Sequence, residues 1–139
     1  MLAREALDPQ EALVCTMVLV AAADGGITDR EIGSMTALVQ TLPIFRGFSA
    51  ERLRVATDAA VRLLDETEGL AHGAKLIRDA LPPRLRETAY ALACDVCAAD
   101  LEVGQESLRM LEFLSNELDL DPLVAAAIER GVRARQRTG

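Results

Sequence analysis

Aromatic residues are scarce in this 139-residue chain, which contains three Phe, one Tyr and no Trp. Its apolar residues are mainly Ala, Leu and Val, and its charged residues are mainly Arg, Glu and Asp. Strands favour aromatic and β-branched side chains, whereas Ala, Leu, Arg and Glu favour helices. The composition therefore predicts an all-α chain, and the length fits one domain, residues 1–139, with its own core.

A basic surface is also missing. The chain has 15 Lys and Arg against 22 Asp and Glu, which gives a net charge of −7. Nucleic-acid binders need positive charge to neutralise phosphates, so the composition argues against that class. The charge is uneven: residues 100–121 contain seven acids and only Arg109 as a base, whereas residues 130–137 contain four Arg and no acid.

The sequence shows no long hydrophobic run, and we expect no signal peptide in its first residues. The longest uncharged run, Ala12 to Ala23, is too short to cross a bilayer and is typical of a buried helix. The first residues include acids and a proline where a signal peptide would have an apolar core. Three cysteines cannot all pair, which suits a reducing compartment. We therefore expect a cytoplasmic protein that is not an integral membrane protein.

An acidic, glycine-rich stretch appears twice in the chain. Residues 22–31 read AADGGITDRE, and residues 98–107 read AADLEVGQES. At this constant offset Asp24 falls on Asp100 and Ile27 on Val103. Internal repeats dictate architecture, and two copies suggest a pseudo-symmetric domain. The sequence therefore predicts two helix-loop-helix halves, roughly residues 9–42 and 85–118.

Capping residues and prolines divide the chain into seven helices. The start signals are Asp8-Pro9, a Thr28/Glu31 capping box, Ser49, Pro82-Pro83 and Asp121-Pro122. The first and fifth helices are apolar nearly all round, so we expect them to pack together at the centre. The second and sixth helices each carry an apolar stripe, predicted as Ile32, Met35, Leu38 and Leu42 and as Leu108, Leu111, Leu114 and Leu118.

The loop from Asp24 to Glu31 matches the second half of a calcium-binding EF-hand loop. It has an Asp-Gly pair, an aliphatic residue two positions after the glycine, and a Glu seven positions after the Asp. The first and third ligand positions would be Val20 and Ala22, which excludes a complete EF-hand. A partial or shared cation site remains, as does a structural role in which Glu31 stabilises a helix N-terminus.

The second copy is richer in acids. Asp100, Glu102 and Glu106 lie in a stretch without Lys or Arg, so their charges repel unless water, salt or a cation relieves them. Carboxylates suit a hard cation, so Ca²⁺ or Mg²⁺ is the favoured ligand. The alternative is a solvated acidic face.

The cysteines and the single histidine are poor candidates for chemistry. Cys94 and Cys97 form a C-x-x-C pair, but a structural zinc site needs four ligands. At the repeat offset they fall on Val18 and Ala21, which predicts core packing. His72 is expected on the surface of the fourth helix. The sequence contains no catalytic triad pattern, nucleophile elbow or P-loop, so we predict that the protein is not an enzyme.

The chain resembles the TerB tellurite-resistance family in its duplicated plan A-x-A-D-G-x-I-x-x-x-E. The first copy spans Ala21 to Glu31, a degenerate copy starts at Ala98, and the resemblance covers roughly residues 8–130. It implies an all-helical bacterial domain of seven helices whose motif acids form a negative, cation-binding surface. By position, the family's acids are Asp24, Glu31 and Asp100.

The second copy departs from the family plan. Leu101 replaces the glycine, and Ser107 stands where the closing Glu would be, with Glu106 one residue early. One helical residue is a rotation of about 100°, so Glu106 is not equivalent to Glu31, although Glu102 could compensate.

These observations predict a non-enzymatic TerB-like domain in a tellurite-resistance, metal-resistance or stress-response pathway. Its acidic loops would bind a divalent cation, and its partners would be other proteins of such a pathway. The predicted metal ligands are Asp24, Glu31, Asp100, Glu102 and Glu106. The alternative is a metal-free helical interaction module that uses its acidic face to recruit a basic partner.

Overall fold

The computed structural model describes residues 6–23, 25–99 and 103–139. Those ranges contain seven α-helices, one short 3₁₀ helix at Pro43–Phe45 and no strand. The α-helices are α1 (Pro9–Ala21), α2 (Asp29–Thr41), α3 (Ala50–Leu64), α4 (Gly69–Ala80), α5 (Pro83–Cys97), α6 (Gln105–Glu117) and α7 (Pro122–Gln136). The all-α prediction and the predicted seven helices are confirmed. None of the described helices is long and apolar enough to cross a membrane.

Helices α1 and α5 form the centre of the fold. Every residue of α1 from Ala12 to Ala21 is buried. This helix packs against α3, α4 and α5, while α5 also contacts α2, α6 and α7. A helix without a polar face can only be stable when other elements surround it. The predicted central pair is therefore confirmed.

Side-chain caps explain where four of the helices begin, α1, α2, α3 and α7. The Asp8 carboxylate accepts the N–H of Glu11 at 2.8 Å, and Pro9 is the first residue of α1. Ser49 Oγ accepts the N–H of Arg52 before α3, and an Asp121 carboxylate oxygen accepts the N–H of Leu123 at the start of α7. These bonds satisfy N–H groups that lack a partner inside the helix.

The buried faces of α2 and α6 differ from the predicted apolar stripes in the first turn of each helix, where they are shifted by one residue. Ile32 and Leu108 are about half exposed, at 50% and 49%, whereas Glu31 and Ser107 are buried. Adjacent residues of a helix point in directions about 100° apart. The buried face therefore includes Glu31 and Ser107, and Ile32 and Leu108 point away from it. The sequence prediction was wrong for Ile32 and Leu108, since it admitted only apolar residues to the core face.

The two predicted halves have matching helix limits. Helices α2 and α6 each contain 13 residues and begin and end at equivalent positions of the repeat. Helices α1 and α5 likewise end at the equivalent residues Ala21 and Cys97. A two-fold relation in space between the halves stays a prediction.

Candidate functional site

The acidic loop between α1 and α2 is the first predicted half-site. Gly25 has a φ of +113°, a backbone conformation that residues other than glycine rarely adopt. The Gly25 N–H donates to the Ala22 carbonyl at 3.3 Å. Glycine therefore suits this position of the turn. Asp24 lies outside the described residues.

Glu31 closes this loop through the predicted capping box. Its N–H donates to Thr28 Oγ1 at 3.1 Å, and the Thr28 N–H donates back to Glu31 Oε1 at 2.8 Å. The Glu31 side chain is buried, with 1% of the residue exposed. A carboxylate in the first turn of α2 also interacts favourably with the helix dipole. Glu31 therefore stabilises the start of α2.

The second loop is built differently. Helix α6 starts after Gly104, which provides no side-chain cap, and Ser107 is buried at the position that corresponds to Glu31. Glu106 is exposed in the first turn of α6, on another face. The second corner thus lacks a capping box, and Glu106 does not replace Glu31 in the buried position.

The sequence left open whether the two acidic loops share one cation site. Asp24, Asp100 and Glu102 all lie outside the described residues. Among residues 6–23, 25–99 and 103–139, no three His, Cys, Asp or Glu side chains are grouped closely enough to hold a metal ion. The assignment of Glu31 as a metal ligand stays a prediction.

The three cysteines are buried and form no disulfide. Burial raises the pKa of the Cys15 thiol to about 12. Burial, followed by the nearby Glu129 charge, raises the pKa of Cys94 to about 12. The prediction that Cys94 and Cys97 pack in the core is confirmed, and Cys15 is buried as well.

We expect the native thiols to react slowly with a disulfide reagent at pH 8. The thiolate is the nucleophile, and a pKa of about 12 leaves Cys15 and Cys94 protonated at that pH. Absorbance of the released thiolate should show all three reacting rapidly in urea and few reacting without it. Fast native reaction of all three, or stoichiometric zinc that Cys94→Ala removes, would contradict this.

The structure also reveals two grooves that the sequence did not predict. One has a volume of about 540 Å³ and is lined by residues of α1, α3 and α4. The other, of about 430 Å³, is lined by residues of α5, α6 and α7, including the hydrogen-bonded pair Tyr90 and Glu129. The available sequence signal for the first groove was a run of alanines, Ala56, Ala59 and Ala60, at helical spacing.

Comparison with known proteins identifies one family. The family model for tellurite resistance protein TerB matches residues 10–136, nearly the whole chain. No curated protein and no solved structure matches the chain.

Proposed function

The chain belongs to the TerB family, and on that premise we propose that it is a non-enzymatic domain that binds a divalent cation through its acidic loops. The proposed ligands are Asp24, Glu31 and Asp100, with Glu102 and Glu106 as secondary ones. Ca²⁺ and Mg²⁺ are the favoured cations because every ligand is a carboxylate. The proposed setting is tellurite resistance, metal resistance or a stress response.

The observation that carries this proposal is the buried Glu31 carboxylate at the end of the acidic loop. Burial disfavours a charged carboxylate unless hydrogen-bond donors or a cation stabilise it. The Thr28 N–H is one such donor, and a cation bound by the neighbouring motif acids would also favour the charged form of Glu31. The capping box also fixes where the carboxylate lies, which reduces the entropy lost when an ion binds.

The proposal predicts a thermal stabilisation by cation that depends on the motif acids. Excess Ca²⁺ or Mg²⁺ should raise the melting temperature of the wild type above its value in chelator. A cation at 100 times its dissociation constant stabilises the folded state by about 2.7 kcal/mol. Asp24→Asn and Asp100→Asn should reduce this gain. In chelator they should be at least as stable as the wild type, because each removes a repelling charge.

Two further variants make the measurement specific. Glu31→Gln keeps a side chain that can close the capping box but loses the charge, so it separates the cap from the ligand role. Glu87→Gln removes an exposed acid of α5 away from both loops and should respond to cation like the wild type. If cation raises no melting temperature, or raises all of them equally, the metal proposal is wrong.

The alternative function is a metal-free module that recruits a basic partner, such as another resistance or stress-response protein. It is favoured by the exposed acids of α6 and the turn after it, Glu106, Glu112, Asp119 and Asp121. None of these four forms an ion pair within the described part of the chain. This alternative predicts binding of a basic peptide that weakens with salt and is insensitive to chelator.

A further inference from the structure

The groove between α5, α6 and α7 carries opposite charges on its α6 and α7 walls. Glu112 of α6 and Arg133 of α7 both line the groove, and both are exposed. Within the part of the chain that the structure describes, neither side chain forms an ion pair. The third charged residue of the lining, Glu129, is half-buried and accepts a hydrogen bond from the Tyr90 hydroxyl. The groove therefore presents one exposed, unpaired charge of each sign.

The same difference in charge extends along the two helices. Arg130 is exposed one turn before Arg133, and it too has no carboxylate partner among the described residues. Every exposed charged residue of α7 is an arginine. On α6, the exposed acids Glu106 and Glu112 outnumber Arg109, which does not line the groove. The exposed surface is therefore negative on α6 and positive on α7.

Two apolar side chains of the groove are exposed to solvent. Leu108 is 49% exposed and Val103 is 42% exposed, and both belong to the lining. Leu108 lies four residues before Glu112, so the two project from the same side of α6. Apolar surface in water is unfavourable, and a partner that covers it gains free energy from the burial. Such a partner must also offer a positive group to Glu112 and a negative group to Arg133.

A second copy of this chain offers both groups. In a two-fold symmetric dimer each contact occurs twice, so Glu112 of one protomer faces Arg133 of its partner in both directions. The α6 ridge of each protomer then lies in the groove of the other and covers Leu108. Exposed ion pairs add little affinity, so apolar burial drives association and the charges fix its orientation. A peptide with one sign of charge leaves either Glu112 or Arg133 unmatched.

We propose that this groove is the interface of a two-fold symmetric homodimer, in which Glu112 and Arg133 pair between protomers beside a buried Leu108. The proposal depends neither on cation binding by the acidic loops nor on recruitment of another protein. It is therefore tested in the presence of a chelator, where a failure of the metal proposal has no effect on the result.

The test is sedimentation equilibrium of the full chain over a range of concentrations. The wild type should approach twice the 15.0 kDa mass of one chain. Glu112→Arg and Arg133→Glu each place like charges opposite one another at both contacts, so each should weaken dimerisation by roughly tenfold or more. The double variant exchanges the two charges and should restore the dimer. Arg62→Glu, a control at an exposed arginine of α3 outside this groove, should leave it unchanged.

A mixture of the two single variants makes the prediction specific to a second copy. Each variant alone brings like charges together, whereas a heterodimer of Glu112→Arg with Arg133→Glu pairs opposite charges at both contacts. The equimolar mixture should therefore dimerise at a concentration at which neither variant does so alone. A partner other than this chain predicts no such rescue.

Leu108→Gln tests the apolar part of the interface. It should weaken dimerisation, whereas Leu123→Gln, at an exposed leucine of α7 outside the groove, should not. Far-ultraviolet circular dichroism of each variant would show that helical content is retained. A wild type that stays monomeric, a dimer that neither charge reversal weakens, or a mixture of the single variants that fails to dimerise would each overturn the proposal.

Discussion

Replacing Leu13 with alanine is expected to lower the free energy of unfolding by about 2–5 kcal/mol, the range for deleting a buried leucine side chain. Leu13 is fully buried in α1, the helix that packs against α3, α4 and α5. The substitution leaves a cavity at position 13. Because helices pack against α1 on several sides, they should move only partly into that cavity. Urea unfolding followed by circular dichroism would measure the change.

Leu123→Ala provides the matched control. Leu123 lies in the first turn of α7 and is 81% exposed, so the same substitution removes little buried surface. Its effect should stay within about 0.5 kcal/mol, as for most surface changes. Similar losses for Leu13→Ala and Leu123→Ala would contradict the central position of α1.

Helix number and most helix starts could be predicted because their causes are local. A cap such as Thr28 acts on residues within one turn, and Pro9 fixes its own backbone angle. The 3₁₀ helix at Pro43–Phe45 was not predicted. Phe45 and Phe48 are both buried, with ring centroids 5.5 Å apart, and this packing depends on contacts that sequence periodicity does not report.

Only part of each candidate site could be predicted from the sequence. Glu31 had two predicted roles, and the structure confirms the capping role because both hydrogen bonds are local. Its burial was not predicted, since the predicted buried stripe of α2 contained only apolar residues. The α1–α3–α4 groove was also missed, because alanines at helical spacing normally indicate close packing. Whether they leave a void depends on how far apart the helices lie, which is set by the whole fold.

The distance between α3 and α4 is set by the turn that joins them, and this turn depends on Gly69. An added Cβ atom at Gly69 would overlap the carbonyl oxygen of Leu63 and lie 2.9 Å from that of Leu64. Both are backbone atoms at the end of α3, so no side chain can rotate to relieve the contact. The Gly69 N–H also donates to the Glu66 carbonyl at 2.9 Å, which limits movement of the turn.

Gly69→Ala should therefore destabilise the protein by at least about 1–3 kcal/mol, the usual effect of overpacking. Gly33→Ala is the matched control, because Gly33 is an exposed residue within α2 and an added Cβ would meet no atom within 4 Å. That change should stabilise the protein by roughly 0.5–1 kcal/mol, since alanine loses less backbone entropy in a helix than glycine. The same chemical substitution is thus expected to shift the urea midpoint in opposite directions at the two positions. A gain in stability for Gly69→Ala would show that α3 and α4 do not approach at this residue.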